Sequence, residues 1–362
     1  MTQKKLILFM PSIEGGGVEK NFFIISNYLA NKIDQVILIT AEKNLSNRLK
    51  NIKIIYPKSN FWREGGRMRK YIICIFLLIK ILLTKRDSSV FSFQANMYAI
   101  LVCKLLNIKI ISRSNSSPSG WSKNLAKRII YRIGLNLANI IIVNSIEFKN
   151  EMKKRFSVKS IHIYNPLDQK QILDLSKKKV KNIFPKNTLK IISVGRLVDQ
   201  KNQITLLKAI NKIKNSFKIK LILIGRGIDL VKIKEFIKVN KLSKLVKIFY
   251  TSNPMPYIKQ ADLFILSSKF EGLPNVLLET IVLKKMIISS NCPTGPKEIL
   301  SSGKGGLLFK TEDYEELSEK ITFFIKNKKK CKKMTNFSFN KLSRFDYEKN
   351  LNKYFDTVKK II

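Results

Sequence analysis

Acidic residues are scarce in this sequence. Its 362 residues carry 25 Asp and Glu against 69 Lys and Arg, a formal net charge of +44, and there is one histidine, His162. Ser-His-Asp or Cys-His nucleophilic machinery would depend on that residue, which sits between Ile161 and Ile163 on a short apolar stretch where a structural role is the better reading. Cysteine is also sparse. Cys74, Cys103, Cys292 and Cys331 stand far apart with no paired spacing, which excludes a disulfide-stapled fold and fits reduced thiols in the cytoplasm. No Asp-x-Asp pair or Cys/His cluster offers a metal site. The longest apolar run, Tyr71 to Thr84, is interrupted by Lys80 and falls short of the roughly 20 residues a spanning helix needs. The opening MTQKKLILFMPS lacks the long apolar run and cleavage site of a secretory signal, so a cytoplasmic location is the expectation. With 45% hydrophobic residues, 15 Gly and 10 Pro, the chain is neither disordered nor fibrous.

The length suits two ordinary domains of roughly 150 residues. Both halves are basic, with 28 Lys and Arg against 8 Asp and Glu in residues 1–165 and 41 against 17 in residues 166–362. The excess is dispersed. It fits AT-rich codon usage, which also explains the wealth of Ile, Asn and Lys, an anionic bilayer, or nucleic acid. No helix-turn-helix, zinc-finger spacing or RNA-binding signature accompanies it, so no nucleic-acid partner is expected.

Leu6 to Met10 reads as an apolar strand. It runs into Pro11-Ser12-Ile13-Glu14-Gly15-Gly16-Gly17 and then a helix from Val18 to Ala30, the opening of a doubly wound domain. Strands at Val36–Thr40, Ile52–Tyr56, Val90–Phe93, Ile108–Ser112, Asn139–Asn144 and Ile161–Ile163, with helices at Tyr71–Leu83 and Ala95–Leu106, predict a parallel sheet covered on both faces. A lysine-dense stretch, Ser176 to Asn187, reads as a linker. A second strand-turn-helix cycle begins at Lys190 and repeats to Met286–Ser289. Two α/β doubly wound domains in tandem leave a cleft at the carboxyl ends of their strands, where such sheets bind ligands.

The segment Ser267 to Glu279 places two carboxylates eight residues apart, Glu271 in a loop and Glu279 one turn into an otherwise apolar helix. A buried charge there needs a hydrogen-bonding partner. The helix start at Asn275, Val276 and Leu277 offers amides to a phosphate, with Glu279 beside a ribose and Glu271 beside a second sugar. The alternative is a loop acid and a salt-bridged helix residue. Arg196 and Lys201, in the turn after the second cycle's first strand, could stabilise a departing diphosphate, or be one solvated pair among 69 basic residues. Gly16 and Gly17 form a turn whose amides could approach a phosphate. That turn fits neither the dinucleotide fingerprint nor the lysine-bearing phosphate loop.

Together these residues resemble the retaining glycosyltransferases of the two-Rossmann, GT-B type, in particular the bacterial sugar transferases called family 4. The resemblance is carried by EGGGVEK at Glu14–Lys20, VGRLVDQKN at Val194–Asn202, ADLFILSSKFEGLPNVLLET at Ala261–Thr280, NCPTGPKEIL at Asn291–Leu300 and GKGGLLF at Gly303–Phe309. It spans nearly the whole chain and is most specific in the second half. It implies an acceptor-binding domain at 1–168, a nucleotide-sugar-binding domain at 169–344 and a helix at 345–362 returning to the first domain. It further implies that Gly16 and Gly17 approach the donor diphosphate, that Arg196 and Lys201 bind it, that amides near Asn275 to Leu277 touch phosphate, and that Glu271 and Glu279 hold the transferred sugar and the ribose. Many members carry a histidine in a first-domain loop. Here the stretch is Ser112-Arg113-Ser114-Asn115-Ser116-Ser117-Pro118, so Arg113 and Asn115 are the substitutes expected to touch acceptor or sugar.

The family implies transfer with retention, without a metal or a resident cofactor. The donor is a nucleotide-diphosphate sugar, UDP-linked by expectation, and the acceptor is lipid-linked or a saccharide of the cell envelope. Base recognition is expected in the Thr251–Met255 loop. Trp62 to Leu83 joins Arg63, Arg67, Arg69 and Lys70 to an apolar helix. That segment is either a sheet-covering helix with a basic approach or a peripheral contact with an anionic membrane at its inner face. The competing classes are a sugar-nucleotide epimerase, for which acid and base groups are lacking, and a non-catalytic basic protein binding nucleic acid, which leaves Glu271 and Glu279 unexplained.

Overall fold

The computed structural model describes residues 5–45, 47–115, 118 and 124–362. Ser116 and Ser117 of the stretch read against the family's histidine loop, and residues 1–4 of the amino-terminal segment, lie outside the described residues. The chain divides into two compact units, Met1–Pro166 with Tyr347–Ile362, and Leu167–Asp346.

In the first unit the elements run β1 (Lys5–Phe9), α1 (Gly17–Ala30), β2 (Gln35–Ile39), β3 (Lys53–Ile55), α2 (Asn60–Arg63), α3 (Arg67–Thr84), β4 (Ser88–Ser92), α4 (Asn96–Leu105), β5 (Ile110–Ser114), α5 (Leu125–Asn136), β6 (Ile140–Val143), α6 (Ile146–Phe156) and β7 (Ile161–His162). The seven strands form one sheet in the order β3-β2-β1-β4-β5-β6-β7. Every pairing is parallel. Strands such as KLILF and QVILI are apolar almost throughout because helices cover both faces of the sheet. Alternate residues divide between two cores. Leu6, Leu8, Phe91 and Ile111 pack with Phe22, Ile25 and Leu29 of α1, whereas Ile7, Phe9, Val90 and Ile110 pack with residues of α3, α4, α5 and α6.

The second unit comprises α7 (Gln169–Ser176), β8 (Leu189–Val194), α8 (Gln203–Ile213), β9 (Ile219–Ile224), α9 (Leu230–Val239), β10 (Val246–Phe249), α10 (Met255–Gln260), β11 (Leu263–Leu266), α11 (Asn275–Val282), β12 (Met286–Ser290), α12 (Pro296–Ile299), β13 (Leu307–Phe309), α13 (Tyr314–Lys326) and α14 (Lys328–Asn340). Its six parallel strands lie in the order β10-β9-β8-β11-β12-β13. Leu206 and Ile210 of α8, Ile233 of α9 and Leu317 and Ile321 of α13 close one face. The chain then re-enters the first unit as α15 (Tyr347–Lys359), whose Leu351, Tyr354 and Val358 join the α1 core.

The lysine-dense stretch is irregular between α7 and β8, but it lies inside the second unit. It is not a tether. Phe184 is buried and the Ile183 amide donates to Gln260 Oε1 at 3.4 Å, so an apolar anchor and a side-chain acceptor hold it to α10. Among the described residues no helix is long and apolar enough to cross a membrane.

Candidate active site

In the second unit the strand order reverses between β8 and β11, which are neighbours in the sheet although two strands separate them in sequence. The loops leaving adjacent carboxyl ends diverge at such a switch point and open a crevice. The loop after β8 carries Arg196 and Lys201, and the loop after β11 carries Glu271 and leads into α11.

Lys201 Nζ lies 2.5 Å from Glu271 Oε1, and Ser268 Oγ donates to the same oxygen at 2.5 Å. The pairing of loops 70 residues apart in sequence has a local cause. Asp199–Lys201 form one 3-10 turn that ends at Asn202, whose left-handed φ of 46° turns the chain into α8. Ser267 Oγ donates to the Lys201 carbonyl at 3.0 Å, the Lys269 amide to the Gln200 carbonyl at 2.8 Å, and Gln200 Nε2 to the Phe270 carbonyl at 2.9 Å. Gln203 Nε2 fixes the Arg196 carbonyl at 2.9 Å. Arg196 itself is exposed, with one guanidinium nitrogen 3.3 Å from Gln200 Oε1.

A third loop braces the carboxylate. Thr294 Oγ1 donates to the Glu271 carbonyl at 2.6 Å, and the Glu271 amide points to the Pro293 carbonyl at 3.4 Å. Gly295 follows at φ +84°, where a Cβ would sit 2.3 Å from the Gly272 carbonyl oxygen. Only glycine allows the two backbones that approach. This is the structural use of Asn291–Leu300, a motif to which the sequence alone assigned no role. Ser268, Gln200 and Thr294 were missed for the same reason: their contribution lies in contacts between distant loops. The Gly295 turn was the one available signal.

Glu271 is 6% exposed and Glu279 8%. Glu279 is the only charged side chain of α11, which otherwise buries Leu277, Leu278, Thr280, Ile281 and Val282. Pro274 starts this helix without a side-chain cap. Of the three expected phosphate-binding amides, that of Leu277 is spent on the Pro274 carbonyl at 3.1 Å and its residue is buried, while Asn275 and Val276 are part-exposed. The Thr251–Met255 loop is tied to α7 by Asn253 Nδ2, which donates to the Leu175 carbonyl at 3.0 Å. Cys292, next to this loop system, has its thiol pushed up to about 12, first by burial and then by the nearby Glu271 carboxylate.

The first unit has its own switch point, between β1 and β4. Gly15 (φ +81°), Gly16 and Gly17 form the turn into α1, and Gly16 is its cap position. A Cβ at Gly16 would meet Glu19 Oε2 at 2.9 Å, and the Glu14 amide points to Glu19 Oε1 at 3.5 Å. A phosphate reaching this turn must therefore share it with the Glu19 carboxylate.

Arg113, expected to touch acceptor or sugar, lies inside the first unit. It is fully buried on β5, with Nε donating to Tyr354 Oη at 2.9 Å, one terminal nitrogen to Asn165 Oδ1 at 2.7 Å and the other to Asn115 Oδ1. Phe93 and Tyr354 lie under its guanidinium. With each of its three nitrogens bonded inside the unit and no exposed surface, Arg113 locks α15 onto the sheet. Asn115 is part-exposed and donates through Nδ2 to the Phe93 carbonyl at 3.0 Å. His162 is part-buried and packs edge-to-face against Tyr164. Among the described residues no group of three or more His, Cys, Asp or Glu side chains could hold a metal ion.

Residues 174–341 match the family model described as glycosyl transferases group 1. That stretch, a little under half of the chain, is similar to the group 1 glycosyl transferases. An uncharacterized glycosyltransferase of Methanocaldococcus jannaschii is 31% identical over 207 residues, 54% of this chain and 51% of that protein, so the chain matches about half the length of that relative. A Campylobacter jejuni protein named N-acetylgalactosamine-N,N'-diacetylbacillosaminyl-diphospho-undecaprenol 4-alpha-N-acetylgalactosaminyltransferase is 23% identical over 95% of this chain and 96% of its own. The crystal structure of Anabaena HepE with UDP-glucose superimposes with a TM-score of 0.78 at 16% identity, covering 98% of this chain and 99% of the other. The chain thus has the GT-B fold, with a seven-stranded and a six-stranded parallel α/β unit. The Lys201–Glu271 pair falls inside the matched stretch.

Proposed function

We propose that this chain is a group 1 glycosyl transferase that moves a hexose or N-acetylhexosamine from a nucleotide-diphosphate sugar, UDP-linked, to a lipid-linked or saccharide acceptor of the cell envelope, with retention at the anomeric carbon, at the cytoplasmic face of the membrane. The observation that carries the reading is the Lys201–Glu271 pair at the β8/β11 switch point, beside the start of α11. The names of the relatives support the chemistry: the Campylobacter enzyme acts on a diphospho-undecaprenol acceptor, and HepE was crystallised with UDP-glucose.

In this scheme the donor diphosphate lies against Arg196, Lys201 and the amides of Asn275 and Val276, while Glu279 accepts hydrogen bonds from the ribose hydroxyls. Glu271, which already shares a proton-rich contact with Lys201, accepts from hydroxyls of the transferred sugar. Lys201 then spans the Glu271 carboxylate and the phosphate, which ties sugar position to leaving-group charge. The acceptor oxygen bonds to the anomeric carbon as the bond from that carbon to the diphosphate oxygen breaks. The acceptor proton passes to the departing phosphate, and Arg196 and Lys201 stabilise the charge that grows there, the step where fixed cations contribute most. Gly16, Gly17 and Asn115 serve substrate at the first unit's own switch point.

UDP or a UDP-sugar raises the melting temperature without added metal on this reading, and Lys201→Ala or Glu279→Ala removes most of the shift. A shift unchanged in both variants sinks the assignment. A panel of nucleotide sugars, read the same way, identifies base and sugar.

A further inference from the structure

The crevice lies at the carboxyl ends of the second sheet, and the amino ends of the same strands carry charge that the transfer chemistry leaves unused. Parallel strands covered on both faces are apolar almost throughout, yet a charged row crosses four neighbouring strands here. Lys190 of β8 stands in register with Lys220 of β9. Leu263 of β11 is in register with Ile191 of β8 and with Met286 of β12, which brings the residues just before them, Asp262, Lys190 and Lys285, together at one end of the sheet. Two hydrogen bonds fasten the middle of the row: the Asp262 amide donates to the Lys190 carbonyl at 2.9 Å, and the Lys190 amide to Asp262 Oδ2 at 3.0 Å. Ile191 and Leu221 turn to the core under α8, α9 and α13, so Lys190 and Lys220, one position earlier, turn to the other face.

These cations are poorly compensated. Among the described residues no carboxylate pairs with the ammonium of Lys190, Lys259 or Lys285, and none of the three donates a hydrogen bond through it. Burial pushes the Lys285 ammonium down from its ordinary value; Asp262 draws it back, and Lys190 and Lys259 of α10 push it further down. Lys220 is pushed down by burial and then by Lys247, although its Nζ donates to the Lys244 carbonyl at 2.8 Å. Lys328 comes to Asp262 from the start of α14, with its Nζ 3.6 Å from the Phe324 ring centre, and burial pushes it down as well. Beside Asp262 opens a cavity of about 290 Å³, whose walls include Asn187, Thr188, Phe217, Lys218 and Lys328.

A positive surface is ordinary in a chain with 69 basic residues. Cations aligned by strand register, part-buried and without partners are not, because each raises the cost of charging the next. A dianion removes that cost. The cavity adds what a bare anion does not need: an apolar wall at Phe217, polar groups at Asn187 and Thr188, and the second oxygen of Asp262 as an acceptor for a hydroxyl. Its size falls at the lower end of the roughly 300–1,000 Å³ of small-molecule sites, which suits a phosphorylated monosaccharide better than a nucleotide or a polymer. We propose that the amino end of the second sheet binds a small phosphorylated polyol, its phosphate held by the lysines around Asp262 and its hydroxyls received in the adjoining cavity. This site lies at the ends of β8 and β11 remote from Lys201 and Glu271, and the inference stands without the transferase reading.

The test is isothermal titration calorimetry of the full chain with glucose 6-phosphate, glucose and inorganic phosphate. Glucose 6-phosphate binds the wild-type protein, inorganic phosphate binds more weakly, and glucose gives no heat of binding. Lys285→Met with Lys328→Met weakens glucose 6-phosphate by about tenfold or more, since two charge-assisted contacts to the phosphate are lost. Both ammonium groups are disfavoured by burial, so this variant melts no lower than the wild-type protein, which shows that it is folded. Lys232→Met with Lys234→Met removes the same charge from the exposed side of α9 and leaves binding unchanged, as does Lys201→Ala in the crevice. No binding to the wild-type protein, equal losses in the two double variants, or a loss in Lys201→Ala alone would each overturn the inference. Inorganic phosphate binding as tightly as glucose 6-phosphate would overturn it too, because the cavity would then take no part.

Discussion

The two units share one topology and use it differently. In each, the first strand of the unit lies third from one edge of the sheet, and the crevice opens beside it. The second unit fills the crevice with charge held at a distance from water: Lys201 and Glu271 in contact, braced by Ser268, Gln200 and Thr294. The first leaves mainly backbone there, at Gly15–Gly17, and buries its one strand-borne cation, Arg113, under α15. One plan thus yields a crevice that its loops cross-link in the second unit, and one lined mainly by backbone in the first.

Two substitutions test that contrast most directly. Glu271→Gln keeps shape and removes charge in the second unit. It lowers kcat of sugar transfer about a hundredfold or more, because Lys201 loses the partner that sets it against the growing charge of the diphosphate, with a smaller loss of stability than of rate. Arg113→Met in the first unit does the reverse. It strands Tyr354 and Asn165 in a buried site and lowers unfolding stability by about 3 kcal/mol, read by urea denaturation, while the nucleotide-induced melting shift persists. If Arg113→Met abolished nucleotide binding in a folded protein, the division of labour would be wrong.

A smaller effect is expected at Gly295. An added Cβ must push the Gly272 carbonyl or Pro274 aside. Gly295→Ala therefore costs about 1–3 kcal/mol of stability, and kcat falls with it because Glu271 shifts. Gly66, where nothing lies within 4 Å of an added Cβ, is the matching control in the first unit.

The gentlest probe is alkaline pH. Burial pushes the thiols of Cys74 and Cys103 in the first unit, and Cys292 in the second, up to about 12 from an ordinary value of 9.0. Below pH 9 folded and unfolded thiols are both protonated, and stability does not depend on them. As pH rises through that range the unfolded thiols ionise and the folded ones do not, so stability falls by about 1.4 kcal/mol per pH unit for each such thiol until the folded value is reached. Denaturant titrations from pH 8 to 11 should show a shallower decline in Cys74→Ala than in the parent protein.

Both sheets and the Glu271–Glu279 segment could be read in the sequence because parallel strands buried on two faces are almost wholly apolar, and because a carboxylate inside an apolar helix breaks the pattern. Other elements left weaker traces. α5 was not seen, since Leu125, Ile129, Ile130 and Ile133 point away from the core and leave no buried stripe. α7, just ahead of the presumed linker, was not read because it is short and its neighbours are lysine-rich. Arg113 looked available for substrate because Tyr354, the residue that occupies it, is 241 positions away. What was missed depends on which distant segment arrives at a residue, a property no local pattern carries.

The return of the chain into its first unit has a consequence for the order of assembly. One core face of that unit needs Leu351, Tyr354, Val358 and Ile361, which emerge from the ribosome only after all of the second unit has been made. Residues 167–346 can close into a finished body while the earlier sheet still waits with a bare flank. The usual first-made, first-folded sequence of multidomain synthesis is inverted here, and for that interval the nascent protein needs shelter at its older end.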